Sequence, residues 1–183
     1  MTRLVISRYN GKLSEHNYNQ LRSLLSNSFK EKFDRVKDQK RKQFVAMEYI
    51  ILKMILKKND FEINVGKNGK PFVKGEKPFN VSHSGEYLIV ASHDKEVGVD
   101  IQKKTLFKEK LALKICNKKE VELLESSKNK NLEFTKLWTK KESYIKMLGE
   151  SIVQDLTNID TMENPQYYTT LEFNDYIISL CSK

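Results

Sequence analysis

Cysteine is scarce in this 183-residue chain, which has only Cys116 and Cys181. They lie far apart, without metal-ligand spacing or a repeated pattern. That excludes a disulfide framework and leaves reduced thiols of a cytoplasmic protein as the expectation. His16, His83 and His93 complete no zinc motif with them. No apolar run approaches the roughly 20 residues of a membrane span, so no membrane association is expected. The opening Met1–Arg8 is too short and too quickly polar for a secretion signal. Low-complexity linkers and close internal repeats are missing too. Arginine is rare, supplying five of the 33 basic residues (Arg3, Arg8, Arg22, Arg35 and Arg41).

What is present suits one ordinary domain, or two small halves sharing a core. Apolar residues make up 39% and charged residues 31%, adequate for a folded core in water. The net charge is +9 and unevenly placed. Residues 1–98 hold 19 Lys and Arg against 11 Asp and Glu, whereas residues 99–183 hold 14 against 13. A basic half favours anionic partners such as a nucleotide, a nucleic acid or an acidic protein. A compositional bias toward lysine is the alternative.

Period-two patterns predict strands over Arg3–Tyr9, Phe61–Val65, Tyr87–Ser92, Val97–Ile101, Gln166–Phe173 and Tyr176–Cys181. Asn68-Gly69 is a hairpin signal leading into Lys70–Val73. Helical spacing predicts a first helix over Asn17–Phe29, started by Ser14, and a long second helix through Phe44–Ile55. Further helices are expected over Leu106–Cys116 and Lys118–Glu125. The second helix begins on lysine and arginine, against its macrodipole. A bound anion would resolve that conflict, and solvated lysines would also account for it.

The most informative stretch is Leu137–Leu148. Phe134, Leu137, Trp138, Lys141, Ile145 and Leu148 form one largely apolar helical stripe, predicted to end at Gly149. Glu142 and Lys146 stand one turn apart, off its centre, and can reach one small volume. An ordinary surface pair has the same spacing. Upstream, Asp100 follows Val97-Gly98-Val99, as a carboxylate does at the end of a buried strand. Two carboxylates and a lysine from separate elements suit a divalent cation beside a phosphate ester. In Ser82-His83-Ser84-Gly85, hydroxyls, an imidazole and a glycine make a phosphate-binding corner. Neighbouring residues on an extended chain point apart, and a Gly-x-Ser-x-Gly elbow is lacking, so a serine hydrolase is disfavoured.

Four runs in order carry a resemblance: Gly69-Lys70-Pro71, Phe79-Asn80-Val81-Ser82-His83-Ser84-Gly85, Val97-Gly98-Val99-Asp100-Ile101 and Leu137–Lys146. Together they resemble the surfactin-type 4'-phosphopantetheinyl transferases. The resemblance implies an α+β fold of two pseudo-symmetric lobes, here 1–98 and 99–183, with the active site in the cleft between them. It implies transfer of the phosphopantetheine arm of coenzyme A to a serine of an apo carrier protein, with Mg2+, releasing adenosine 3',5'-bisphosphate. Carried over by residue, Asp100 and Glu142 would hold the metal and Lys146 would contact the pyrophosphate. Ser82 and His83 would hold coenzyme A phosphates, and Lys70 and Pro71 would line the adenine pocket. Lys30, Arg41 and Lys42 would supply 3'-phosphate contacts. Beside these, Glu120 is either an auxiliary acid near the metal or part of a solvated helix face. A monomer acting on an acidic carrier is expected. One departure stands out: Gln102 occupies a position where many members carry Glu, which makes it a weaker metal ligand and leaves open a non-catalytic coenzyme A-binding relative. A nucleic-acid-binding module is the other alternative.

Overall fold

The computed structural model describes residues 1–66, 68–149 and 155–183. Strand β1 (Arg3–Arg8) is followed by helices α1 (Glu15–Ser23), α2 (Asn27–Arg35) and α3 (Gln39–Leu56). A small hairpin, β2 (Asn64–Val65) with β3 (Pro71–Phe72), precedes β4 (Phe79–Ser84), β5 (Tyr87–Ser92) and β6 (Val97–Lys103). Helices α4 (Glu109–Ile115), α5 (Lys118–Ser126) and α6 (Lys130–Leu148) follow, then β7 (Tyr168–Phe173) and β8 (Tyr176–Ser182). The fold is mixed α+β.

Two three-stranded antiparallel sheets organise these elements, in the orders β1-β5-β4 and β6-β8-β7. Alternation along the strands sorts side chains into layers. Val5, Phe79, Leu88 and Val90 pack against Phe29, Phe44, Tyr49 and Leu52 of α2 and α3. Leu4, Ile6, Ile89 and Ala91 meet Val97, Val99, Ile101 and Ile178, so the two sheets share a core. The opposite side of the second sheet lies under α6.

Strands β4 and β6 run side by side, joined by side chains instead of a backbone ladder. The amide of Val99 donates to Asn80 Oδ1 at 2.9 Å, that of Ile101 to Ser82 Oγ at 3.4 Å and that of Lys103 to Ser84 Oγ at 3.2 Å. Every second residue of β4 thus meets a donor of β6, and for Val99 and Ile101 burial would otherwise leave that donor orphaned. The seam fixes the register of the two strands and with it the place of Asp100 beside Ser82.

On its other side, β6 presses against α6. A Cβ at Gly98 would overlap the Ser143 carbonyl oxygen and the Met147 nitrogen. Only glycine lets strand and helix backbones come this close.

Several sequence expectations need correction. The helix expected over Asn17–Phe29 is two helices. Leu24 and Leu25 close a tight turn onto Leu21 O and Arg22 O, and Ser26 stands at the N-cap of α2. The Ser23–Ser28 stretch is rich in residues that favour caps over helix interiors. Leu106–Phe107 is not helical. The Thr105 and Phe107 amides donate to Thr135 Oγ1 and Asn131 Oδ1 of α6, and α4 begins only at Glu109. The apolar stripe of α6 holds at Phe134, Leu137 and Ile145, while Leu148 is exposed. The corner expected at Ser82–Gly85 is instead the end of strand β4, which runs from Phe79 to Ser84. Tyr87–Ser92 and the α6 cap at Gly149 (φ +70°) agree with expectation.

Gly98→Ala should therefore destabilise the fold by about 3 kcal/mol. The urea midpoint of the purified variant measures this, and a midpoint like that of the unmodified protein would contradict the close packing.

Candidate active site

Three elements converge on one polar volume. β4 supplies Ser82, β6 supplies Asp100, and successive turns of α6 supply Glu142 and Lys146. Ser82, Asp100 and Glu142 are buried, whereas Lys146 is partly open to solvent. Lys146 Nζ lies 2.6 Å from Asp100 Oδ1 and 3.0 Å from Ser82 Oγ. Ser82 Oγ donates to Asp100 Oδ1 at 2.9 Å and accepts from the Ile101 amide. That hydroxyl has one proton and two lone pairs, all now used. It is a positioned hub, not a free nucleophile.

The carboxylates are less well served. Among the described residues, Asp100 Oδ2 and Glu142 Oε1 are buried without a hydrogen-bond partner. Leaving such an atom unmet costs about 1–3 kcal/mol, more when it is charged. Burial, and then the nearby Asp100 charge, raise the proton affinity of Glu142 above the ordinary carboxyl range, against the opposing pull of Lys146. The two acids thus repel across a gap that a cation would fill. Among the described residues no group of three or more His, Cys, Asp or Glu forms a metal cluster. A metal here would be held by two carboxylates with further oxygens from elsewhere. That donor set fits magnesium, which takes few protein ligands.

A second, cationic zone adjoins this one. His83 stacks on Phe44, with ring centroids 5.6 Å apart. Partial desolvation, then the charges of Lys146, Arg41 and Lys40, push its proton affinity down, leaving a neutral imidazole in a positive field. Arg41 lies in the first turn of α3, where Asp38 caps the helix by accepting from the Arg41 amide at 2.8 Å. That cap already offsets part of the dipole conflict. Lys42 is held over the Phe33 ring, 5.2 Å from its centroid. Lys30 belongs to α2 and not to the start of α3, which corrects the sequence grouping.

A cavity of about 500 Å³ opens beside the C-terminal end of α6, bounded by Lys70, Pro71, Phe72, Glu96, Leu148 and Gly149 among others. None of Ser82, His83, Asp100, Glu142 or Lys146 lines it. Gln102 lines a different hollow of about 240 Å³, largely apolar, with Leu106, Leu111, Phe134 and Trp138.

Glu120 is not an auxiliary acid. It is fully buried and 2.7 Å from the equally buried Lys141. Its oxygens also accept from the Asn117 amide and from the Thr161 amide and hydroxyl. Lys141 in turn donates to Leu156 O and Ile159 O. This pair ties α5, α6 and the 156–161 segment together, and its desolvation makes it structural. Its signal in the sequence was a lysine in an apolar stripe. Asn80 and Phe44 were also missed. The alternation Asn80-x-Ser82-x-Ser84 carried the first, while nothing in the sequence carried the Phe44–His83 stack.

The raised proton affinity of Glu142 has a definite sign in stability. The folded protein binds that proton more tightly than the unfolded chain does. This favours folding in acid, and the benefit is lost as pH rises through the raised value. Glu142→Gln should stabilise the protein at pH 7 by about 1 kcal/mol. The gain should vanish below the ordinary carboxyl value of 4.5, where Glu142 is itself neutral. Urea titrations at both pH values check this. A Gln variant less stable at pH 7 would contradict the repulsion.

Residues 96–182 match the model of the 4'-phosphopantetheinyl transferase superfamily. The 4'-phosphopantetheinyl transferase gsp of Aneurinibacillus migulanus is 29% identical over 160 residues, 83% of this chain and 68% of that protein. The 4'-phosphopantetheinyl transferase Sfp of Bacillus subtilis is 29% identical over 124 residues, 66% and 55% of the two chains. The putative 4'-phosphopantetheinyl transferase slr0495 of Synechocystis is 33% identical over 156 residues, 77% and 62%. The chain thus spans between 55% and 68% of the length of these relatives. The matched segment runs from the residue before β6 through α6 to β8, and the family this chain is similar to is that of the surfactin-type 4'-phosphopantetheinyl transferases.

Proposed function

We propose that this chain transfers the 4'-phosphopantetheine arm of coenzyme A to a serine hydroxyl of an apo carrier protein. The observation that carries this reading is the pair of buried carboxylate oxygens on Asp100 and Glu142, unmet among the described residues, beside the Lys146 ammonium. In the reaction the carrier serine oxygen bonds to the phosphorus of the arm. The pyrophosphate P–O bond breaks, and adenosine 3',5'-bisphosphate leaves. The serine proton goes to Glu142, whose raised proton affinity suits an acceptor. Lys146 holds the pyrophosphate oxygens and offsets charge as it develops. Asp100 and Glu142 would hold magnesium, with Gln102 at most a weak third ligand; the ion would neutralise charge on the departing bisphosphate.

Coenzyme A then lies between two pseudo-symmetric lobes, residues 1–98 and 99–183. Pro71 and Lys70 border the 500 Å³ cavity as the adenine pocket. His83, with Arg41 and the neighbouring Lys40, takes the 3'-phosphate, and the positive field at His83 supports this. Lys42 and Lys30 are further candidate 3'-phosphate contacts, on α3 and α2. Ser82 orients Lys146 toward the phosphates. The partner is an acidic carrier drawn to a chain of net charge +9. We place the protein as a monomer in the cytoplasm. Of the described helices, none is long and apolar enough to cross a membrane.

The nucleic-acid reading loses ground here. Phe29, Phe33, Phe44, Tyr49 and Phe61, half of the aromatics of the basic half, are buried in its core. Lys32, Lys42 and Lys53 lie over buried rings of that set. No stacking platform for bases is left among them.

Intact-mass measurement of an apo carrier protein with coenzyme A and magnesium should show a gain of one phosphopantetheine arm. Asp100→Ala and Glu142→Ala should each reduce the rate by about 1,000-fold. Full activity in both variants would refute the assignment. Titrating magnesium against activity tests Gln102 separately. Gln102→Glu adds a charged oxygen and should lower the magnesium requirement about tenfold. An unchanged requirement would place Gln102 away from the ion.

A further inference from the structure

Lys70 does more in this fold than border a cavity. Its Nζ donates to Met147 O at 2.8 Å and to Glu96 Oε2 at 2.5 Å. Met147 O is one of the last carbonyls of α6, which have no partner within the helix, and a cation there also meets the negative end of the helix dipole. The Lys70 stem lies against Gly149, where an added Cβ would come within 3.2 Å of Lys70 Cδ. The side chain is only 16% exposed. At the same time the Lys70 backbone belongs to the β2–β3 hairpin. Its carbonyl accepts from the Gly66 amide at 2.9 Å, and the next residue, Pro71, pairs with Val65. One residue therefore bolts the hairpin that borders the large cavity to the end of the helix that carries Lys146.

Lys146 precedes Met147 and reaches Ser82 and Asp100, yet it does not line the cavity. What occupies the cavity can influence Lys146 only through intervening chain. Two of the three Lys70 ammonium donors are spent on protein, so Lys70 is poorly placed as a phosphate ligand. We propose that Lys70 is a positioning residue: its ammonium couples occupancy of the β2–β3 cavity by the adenine base to the placement of Lys146 on the last turn of α6. This rests on the proposed transfer for its reaction, but the coupling itself is a property of nucleotide binding.

Two measurements on the full chain test it, with Lys70→Met, which keeps most of the stem, and Lys70→Arg, which keeps the charge. The first is hydrogen–deuterium exchange across Ile145–Gly149 with and without adenosine 3',5'-bisphosphate. In the unmodified protein the nucleotide should slow exchange there about fivefold or more. In Lys70→Met the nucleotide should still bind while that protection is lost. The second is transfer kinetics. Lys70→Met should lower kcat roughly tenfold, with KM for coenzyme A changed by less than about threefold. Lys70→Arg should restore most of the rate, and in a Lys146→Ala background Lys70→Met should cost little more.

Protection confined to the hairpin in the unmodified protein would overturn the coupling, as would a raised KM at unchanged kcat. Losses that simply add in the Lys146→Ala background would overturn it too, and so would absence of nucleotide binding. If the exchange coupling is present and no carrier protein is modified, the proposed transfer falls and the brace stands.

Discussion

The arrangement depends on the seam between β4 and β6. Three side chains, Asn80, Ser82 and Ser84, take the place of a backbone ladder and meet the amides of Val99, Ile101 and Lys103. A ladder would have merged the two sheets into one. Side-chain acceptors hold the strands in fixed register while leaving two sheets with a shared apolar core behind them. The seam also spends a serine at the one point where the site needs a small, saturable polar group. Ser82 accepts from β6, accepts from Lys146 and donates to Asp100. Register and chemistry are settled by the same hydroxyl.

Against this frame α6 is brought as close as a backbone allows. Gly98 removes the only side chain that could stand between strand and helix at that point. Asp100, two residues on along the same strand face, then looks at Glu142 and Lys146 across a short gap. The Lys141–Glu120 pair holds α6 from the other side, tying it to α5 and the 156–161 segment. The helix is clamped on both faces, so the turn carrying Glu142 and Lys146 has little freedom to relax away from like charge. Such rigid support keeps an electrostatically unfavourable site preorganised.

Much of this was readable from residue order, and the parts that were not share a cause. Strands with strong alternation, Tyr87–Ser92 above all, and the α6 cap at Gly149 follow from local chemistry and appear as expected. The meeting of Asp100 with Glu142 and Lys146 was anticipated from strand, helix and motif together. The break at Leu24–Ser26 was hidden because Leu21, Leu25 and Phe29 keep helical spacing across it. The loop at Leu106–Phe107 was hidden because its amides are satisfied by α6, far along the chain. Lys141 stands in an apolar stripe and Glu120 in a polar helix start, and nothing local in the sequence pairs the two. Only tertiary contact makes them a buried pair. The surplus of lysine in the first half likewise described a total, whereas the field at His83 comes from Lys146, Arg41 and Lys40, one of which lies in the second half.

The two unmet carboxylate oxygens also bear on whether a silent coenzyme A-binding relative would look like this. Binding a nucleotide calls for cations and a cavity, and the zone around His83 together with the hollow under Pro71 already offers both. Neither needs a second buried acid. The charge of Glu142 works against the fold: burial and the neighbouring Asp100 raise its proton affinity. Asp100 has Lys146 and Ser82 on one oxygen and, among the described residues, no hydrogen-bond partner on the other. A protein that only binds would gain stability from an amide at 142 at no cost to its task. Retention of a repelling carboxylate, wedged between a glycine-thinned strand and a clamped helix, makes physical sense where that group has a cation to hold or a proton to take.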